Sequence, residues 1–441
     1  VHDAQPQKKG KRQMKTTTNS YYATLEEEYL IDRSILQEIE EANRECQPIF
    51  AGISATTELN QLKILRAFQS NQVTDFHLHG STGYGYGDVG RDTLEQVYAT
   101  VFKAEKAIVR AQIVSGTHAI ALALFGNLAA GDELIAATGR PYDTLLKVIG
   151  IHGEEGSLLK NGVQYTEIPL TPDEKIDLKE LCERISPQTK MVAFQRSKGY
   201  DWRPSFRIAE LAEAISRVKT RFPWVICMVD NCYGEFVEEK EPLEIGADLI
   251  AGSLIKNPGG GLALTGGYLA GKEALIEQAA LRLTAPGIGL EVGSSLCFGR
   301  TAYQGLFMAP AVVGEALKGA VLAARFFEKL GYPVAPGYND KRTDIIQAIQ
   351  LGSREKMIAF CRGIQKAGPL DAFVTPEPAL LPGYTDEVIM AGGTFIQGSS
   401  IELSADGPIR PPYIIYLQGG LSLAHIKTGL VFAAHELQKK L

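Results

Sequence analysis

The chain has 441 residues, 45% of them apolar, and a formal net charge of −6; that is enough for a large domain with its own core plus a smaller one, and the acidic balance excludes general nucleic-acid binding, which needs a basic face. No apolar run reads as long enough to span a bilayer. The six cysteines, Cys46, Cys182, Cys227, Cys232, Cys297 and Cys361, are scattered, with no CxxC pair and no metal-ligand spacing, so they are expected as reduced core residues of a cytoplasmic protein that holds no metal.

Residues 1–20 are polar and basic and lack the apolar stretch of a secretory signal. The expectation is a disordered tail, with Met14 as an alternative start of translation. Residues 21–60 read as an N-terminal helical arm. Within it Leu25–Arg44 is acidic and helical in pattern and is expected to end before Pro48; Glu58–Ser70 then forms a second helix.

GYGDVG (85–90) has the spacing of a dinucleotide-binding turn. The segment before it, TDFHLHGST, is a poor strand, and AIVRAQ ends without the acidic residue such a site needs. The dinucleotide reading is therefore set aside. His77 and His79 lie two apart in the same run without a further ligand and are read as structural.

From Lys106 onward short β-branched runs alternate with helical stretches. Strands are expected at 107–111, 133–137, 164–168, 191–195, 224–230, 248–252 and 266–271, with helices between most of them. Such alternation means an α/β fold with a mostly parallel sheet covered on both faces by helices. The large domain is placed at 61–308. Around Pro310 a long helix begins, closed by Gly331, and 309–441 is assigned to a smaller α+β C-terminal domain that ends in a helix from Leu421.

Four features along the large domain carry chemistry. SGTHAI follows a strand and opens a helix, so Ser115, Gly116 and Thr117 offer free N–H groups and hydroxyls to a phosphate; an ordinary capping serine is the alternative. Tyr142 in GRPYDT lies just past a strand, at the open end of the sheet where ligands bind. Asp230 ends the apolar strand WVICMVD, a costly place for a carboxylate without a cationic partner. Lys256, in GSLIKNPGGG three residues after Ser253, sits between an apolar pair and glycines. In an apolar pocket its pKa is expected to fall, making it a nucleophile toward carbonyls.

In that order on a parallel sheet the four are what pyridoxal 5′-phosphate (PLP) needs. Lys256 forms the Schiff base, Asp230 keeps the pyridine nitrogen protonated, Tyr142 stacks on the ring, and Ser115, Gly116, Thr117 and Ser253 hold the phosphate. The glycines after Lys256 are read as room for a substrate to approach.

From about Tyr29 onward the sequence resembles the fold-type I PLP enzymes of Cys/Met metabolism, among them the cystathionine lyases and methionine γ-lyase. VDNCY is similar to that group's VDNT-F stretch, GRPYDT to its Y-G-G-T stretch and SGTHAI to its S-G-x-A-A-I turn. Within the group, FQRSKGYDWRPS, GSLIKNPGGG and HLHGSTGYGYGD resemble the subfamily called both methionine γ-lyase family and aluminium resistance protein. Two departures stand out: Asp88 where the group has a phosphate-binding arginine, and Gln195-Arg196-Ser197 in place of its E-S-P-x-N-P.

The resemblance implies a homotetramer, a dimer of dimers with active sites at the dimer interface, in which Tyr86 reaches the neighbour's phosphate. It implies a C-terminal-domain arginine that grips the substrate α-carboxylate, here Arg410, and Arg196 or Lys198 as holders of an anionic group. The function it implies is β- or γ-elimination on a sulfur-containing amino acid. Lys256 removes the α-proton, Tyr142 doubles as proton donor to the leaving group, and a 2-oxo acid and ammonia are released. The alternatives are an aminotransferase or other PLP enzyme on the same scaffold, or a PLP-binding stress or regulatory protein with little catalysis.

Overall fold

A computed structural model describes residues 20–381 and 383–439. The predicted tail lies almost wholly outside them.

The first long helices of the described residues are α1 (Ser20–Glu27), α2 (Arg33–Ser70) and α3 (Val89–Phe102). Asp32 starts α2 by accepting the Ser34 N–H at 2.7 Å. The two helices expected either side of Pro48 are one, because α2 runs through the proline without a break. Its buried stripe, including Ile39, Cys46, Phe50 and Ile64, packs along a long helix from the second half of the chain, and this burial outweighs the lost backbone hydrogen bond.

The strands of the first sheet are β1 (Lys106–Arg110), β2 (Glu133–Ala136), β3 (Gln164–Glu167), β4 (Thr189–Gln195), β5 (Ile226–Asp230), β6 (Leu249–Ser253) and β7 (Gly267–Gly271), each within two residues of an expected segment. Their order is β1-β7-β6-β5-β4-β2-β3. β7 runs antiparallel to both neighbours and the rest run one way. β5, β6 and β7 are buried at every position, as strands covered on both faces must be. Helices α4 (Gly116–Asn127), α5 (Asp143–Ile149), α6 (Leu178–Arg184), α7 (Ile208–Arg221) and α8 (Glu273–Leu283) make the cover.

Helix α9 (Phe298–Lys329) begins twelve residues before Pro310, so the expected domain boundary at 308/309 falls inside it. It is long and apolar enough to cross a bilayer, which the sequence reading missed, but most of its apolar stretch is buried in the core. Gly314 lets it approach Thr57 of α2, since a Cβ there would lie 2.4 Å from the Thr57 hydroxyl. Lys329 joins the pair with salt bridges to Glu38, Glu41 and Glu45. The second sheet is antiparallel: β8 (Val334–Ala335), β9 (Gln347–Gln350), β10 (Ala379–Leu380), β11 (Glu387–Ala391), β12 (Ser404–Pro408) and β13 (Ile414–Gln418), in the order β10-β11-β12-β13-β9-β8. Helix α10 (Arg354–Lys366) packs against it, and α11 (Leu423–Gln438) packs on α10 and on α9 and α2.

The segment before Asp88 forms a 3₁₀ turn, Asp75–Leu78, and not a strand, so the GYGDVG turn lacks the context of a dinucleotide site. Asp88 instead caps α3, accepting the Arg91 N–H at 3.0 Å, and His77 Nδ1 accepts the Thr74 N–H at 2.9 Å.

Candidate active site

The strand ends of the first sheet open on a cavity of about 260 Å³ whose far wall comes from the second sheet. Val114 to Thr117 follow β1, Tyr142 to Thr144 follow β2, Gln195 ends β4, and Asp230, Cys232 and Tyr233 lie at the end of β5. Ser253 ends β6, with Lys256 just beyond it. This is where open α/β sheets bind ligands. Tyr200, Tyr384, Ser399, Asp406, Tyr416 and Gln418 close the opposite side.

Lys256 leads a short 3₁₀ turn, Asn257–Gly259. Its Nζ lies 3.7 Å from the centroid of the Tyr233 ring, a cation–π contact. Burial works against the ammonium, but Cys232, Tyr233 and Asp230 outweigh it and hold the amine above the ordinary lysine value. The expected downward shift assumed an apolar pocket, and these neighbours make the pocket polar. Asp230 is shifted up by burial, with Lys256 opposing, and Cys232 donates its backbone N–H to it at 3.1 Å. Burial and then Asp230 push the Tyr142 phenol well above its usual range, so it keeps its proton. Tyr142 donates its backbone N–H to Gln195 Oε1 at 3.3 Å.

Ser115 is the cap that was one of the two expected readings, accepting the His118 N–H at 3.0 Å, and it also faces the cavity. The first-turn N–H groups of α4 have no intrahelical acceptor and carry the positive end of the dipole. Gly116 sits close under the site: a Cβ there would come within 3.2 Å of both Cys232 Sγ and Ser253 Cβ, so those side chains would have to shift by a few tenths of an ångström. The Thr117 and Thr144 hydroxyls are 3.4 Å apart.

The glycines after Lys256 serve packing. A Cβ on Gly259 would lie 1.7 Å from the Leu254 carbonyl oxygen, and one on Gly260 2.3 Å from the Gly305 carbonyl oxygen of α9. They let α9 press on the turn that carries Lys256; of the glycines from 259 to 266, Gly266 lines the cavity.

The expected anion-binding cations lie elsewhere. Arg196 is fully buried behind the sheet, donating to Thr343 Oγ1 (3.0 Å), Asn231 Oδ1 (2.8 Å) and Glu238 Oε1 (3.1 Å), with Glu241 at 3.7 Å. Lys198 is buried and donates to the Ala335 carbonyl at 2.8 Å. Arg410 is paired with Asp386 at 2.8 Å on an exposed rim and does not line the cavity. Tyr86 is 69% exposed, stacked on Tyr84, and is also absent from the cavity wall. Cavity-lining residues that the sequence reading did not place in the site are Gln195, Cys232, Tyr233, Tyr200, Tyr384, Asp406 and Tyr416. The neighbours of Asp230 carried a signal, since VDNCY places Cys232 and Tyr233 on the turn leaving a strand end.

The side chains at the strand ends fit PLP. Asp230 is a buried carboxylate facing the cavity with no arginine to neutralise it, suited to a protonated ring nitrogen. Lys256 is an amine on the same wall, and the α4 N-terminus with Ser253 is a donor set for a phosphate.

The chain matches the family model described as methionine gamma-lyase over residues 35–438. It is 56% identical to the uncharacterized protein YnbB of Bacillus subtilis, over 88% of this chain and 93% of that one. A carbon-sulfur lyase involved in aluminum resistance from Clostridium novyi superimposes with a TM-score of 0.91 at 48% identity, covering 95% of this chain and 99% of that chain. The PLP-dependent protein YhfS of Escherichia coli, 16% identical, shares the fold with a TM-score of 0.58 over 88% of this chain and 97% of its own.

Proposed function

The chain belongs to the methionine gamma-lyase family, and from that premise we propose that it binds PLP and cleaves a carbon–sulfur bond in an amino acid by β- or γ-elimination. The observation that carries the reading is the meeting of Lys256, Asp230, Tyr142 and the α4 N-terminus in one cavity. PLP supplies an electron sink that acidifies the α-carbon of an attached amino acid.

The chain's own residues do the rest. Lys256 Nζ holds the cofactor and, once neutral, takes the α-proton. Asp230 keeps a proton on the ring nitrogen, and its burial makes that charge pair strong. Ser253, Thr117 and the N–H groups at the start of α4 hold the phosphate. Tyr142, protonated throughout the neutral range, is the proton donor to the departing sulfur. Tyr84, Tyr86, Val114 and Leu264, among the most exposed apolar side chains, support burial against a second copy, and Val114 also lines the cavity. A dimer of dimers in the cytoplasm is the assembly we propose.

The test is a panel of thioether amino acids with thiol, ammonia and 2-oxo acid measured together. Equal release of the three by the holoenzyme, lost in Lys256→Ala, supports the reading. Conversion of the cofactor to its amine form with no thiol released points to aminotransfer instead.

A further inference from the structure

The turn that leaves β5 carries backbone strain. Gly234 donates its N–H to the Asn231 carbonyl at 2.9 Å, closing the four-residue turn Asn231-Cys232-Tyr233-Gly234. Its third residue, Tyr233, has a φ of +71°, the sign that favours glycine at that place in a turn and that strains a bulky side chain. A glycine stands one residue on, yet the chain puts a tyrosine at the strained position. Such strain persists where the surroundings hold it in place, and it clusters at working sites.

The strained turn aims a ring. Tyr233 lines the cavity, and Lys256 Nζ lies 3.7 Å from its centroid. The other charged and titratable groups that act on Lys256 or are acted on by it are Asp230, Cys232 and Glu235, from β5 and the residues just after it, and Asp406 and Tyr384 on the opposite wall. Asp230 serves the cofactor in the reading above, whereas Tyr233 has no part in it. A ring face attracts an ammonium far more than a neutral amine, because the attraction is between a charge and the ring quadrupole. A base whose protonated form is supported is the stronger base.

We propose that Tyr233 is a further catalytic residue: its ring face receives the Lys256 amine as it becomes an ammonium, and so strengthens Lys256 as the base that takes the α-proton. This rests on the lyase reading and adds a residue to it. In the step the bond between the α-carbon and hydrogen breaks, an N–H bond forms on Nζ, and the electron pair passes into the sink that the cofactor supplies. The ring neither gains nor loses a proton.

The first measurement needs no cofactor. The ionisation of Lys256 is followed by NMR in cofactor-free protein carrying isotope-labelled lysine, the signal assigned by its loss in Lys256→Met. Tyr233→Leu and Tyr233→Gly both remove the ring, and glycine suits the backbone should leucine misfold. Both should raise the acid dissociation constant of Lys256 about tenfold. Tyr233→Phe keeps the face and should stay within about twofold of wild type. The second measurement is exchange of the α-proton of L-alanine with heavy water in the holoenzyme. Alanine carries no leaving group, so exchange reads proton removal alone. At its optimal pH it should fall about three- to tenfold in the two ringless variants and be kept in Tyr233→Phe. Alanine binding, read from the cofactor's visible absorption, should change little.

Tyr233→Phe behaving like the ringless pair assigns the effect to the hydroxyl and overturns the proposal, as does a Lys256 ionisation unmoved in both ringless variants. An ionisation that moves while α-proton exchange stays the same also overturns it. In each of these cases an enzyme that still binds PLP and releases thiol keeps the lyase reading. A protein that binds no cofactor sinks that reading and this proposal with it.

Discussion

Arg196→Met removes the cation between Glu241 and Glu238 and leaves both carboxylates in place. Glu241 is fully buried and keeps the Phe236 N–H at 2.9 Å and Asn231 Nδ2 at 3.0 Å. Breaking a buried pair from one side costs about 3–5 kcal/mol, most of it the uncompensated charge. Unfolding entropy of about 2.1 cal/mol/K per residue over 441 residues is roughly 0.9 kcal/mol per kelvin, so the melting temperature should fall by about 3–5 °C. Burial already raises the Glu241 pKa and Arg196 opposes it. Without the arginine the folded state binds a proton more tightly than the unfolded one, so stability falls as pH rises and the deficit is larger at pH 8 than at pH 5. Arg196→Met/Glu241→Gln should recover most of the loss. The assay is thermal unfolding at both pH values beside steady-state kinetics. An unchanged melting temperature with a raised KM would refute the reasoning and return Arg196 to the substrate.

Gly259→Ala forces a Cβ into the Leu254 carbonyl and should destabilise the fold by more than the usual 1–3 kcal/mol of overpacking, measured by denaturant titration. Burial lifts the Asp406 carboxyl to about 6; because the folded pKa is the higher one, wild-type stability declines as pH rises from about 4 to 6. Asp406→Asn should therefore stabilise the protein more at pH 8 than at pH 4, read by melting temperature. Tyr142→Phe keeps the ring and removes the proton; cofactor retention with kcat lowered about 10²- to 10⁴-fold is expected, and unchanged kcat would remove Tyr142 from the chemistry.

Much of the first sheet was legible because its central strands carry short apolar runs, and Asp230 stood out as the charge that ends one. Direction was harder to read. Gln195 pairs in register with Asp230, so both face the cavity, whereas Arg196, one residue on, turns to the opposite side. The parity was in the sequence, but using it required knowing that β4 and β5 are neighbours. Asp406 was hidden for a related reason. β12 is buried at every position, so no alternation marks the face that meets the cavity. Arg410, four residues later, lies past the strand end on the rim. Pro48 and Pro310 looked like helix ends because local propensity is all the sequence displays there. The packing of α2 on α9 that overrides it is built from residues more than two hundred positions apart.

The most direct measurement is the absorption spectrum of the purified protein with PLP, before and after borohydride, followed by peptide mapping. A visible band that borohydride removes, leaving the cofactor covalently on Lys256 and absent in Lys256→Ala, is the expected result. A protein that stays colourless, or a label that maps to another lysine, would contradict the account at its centre.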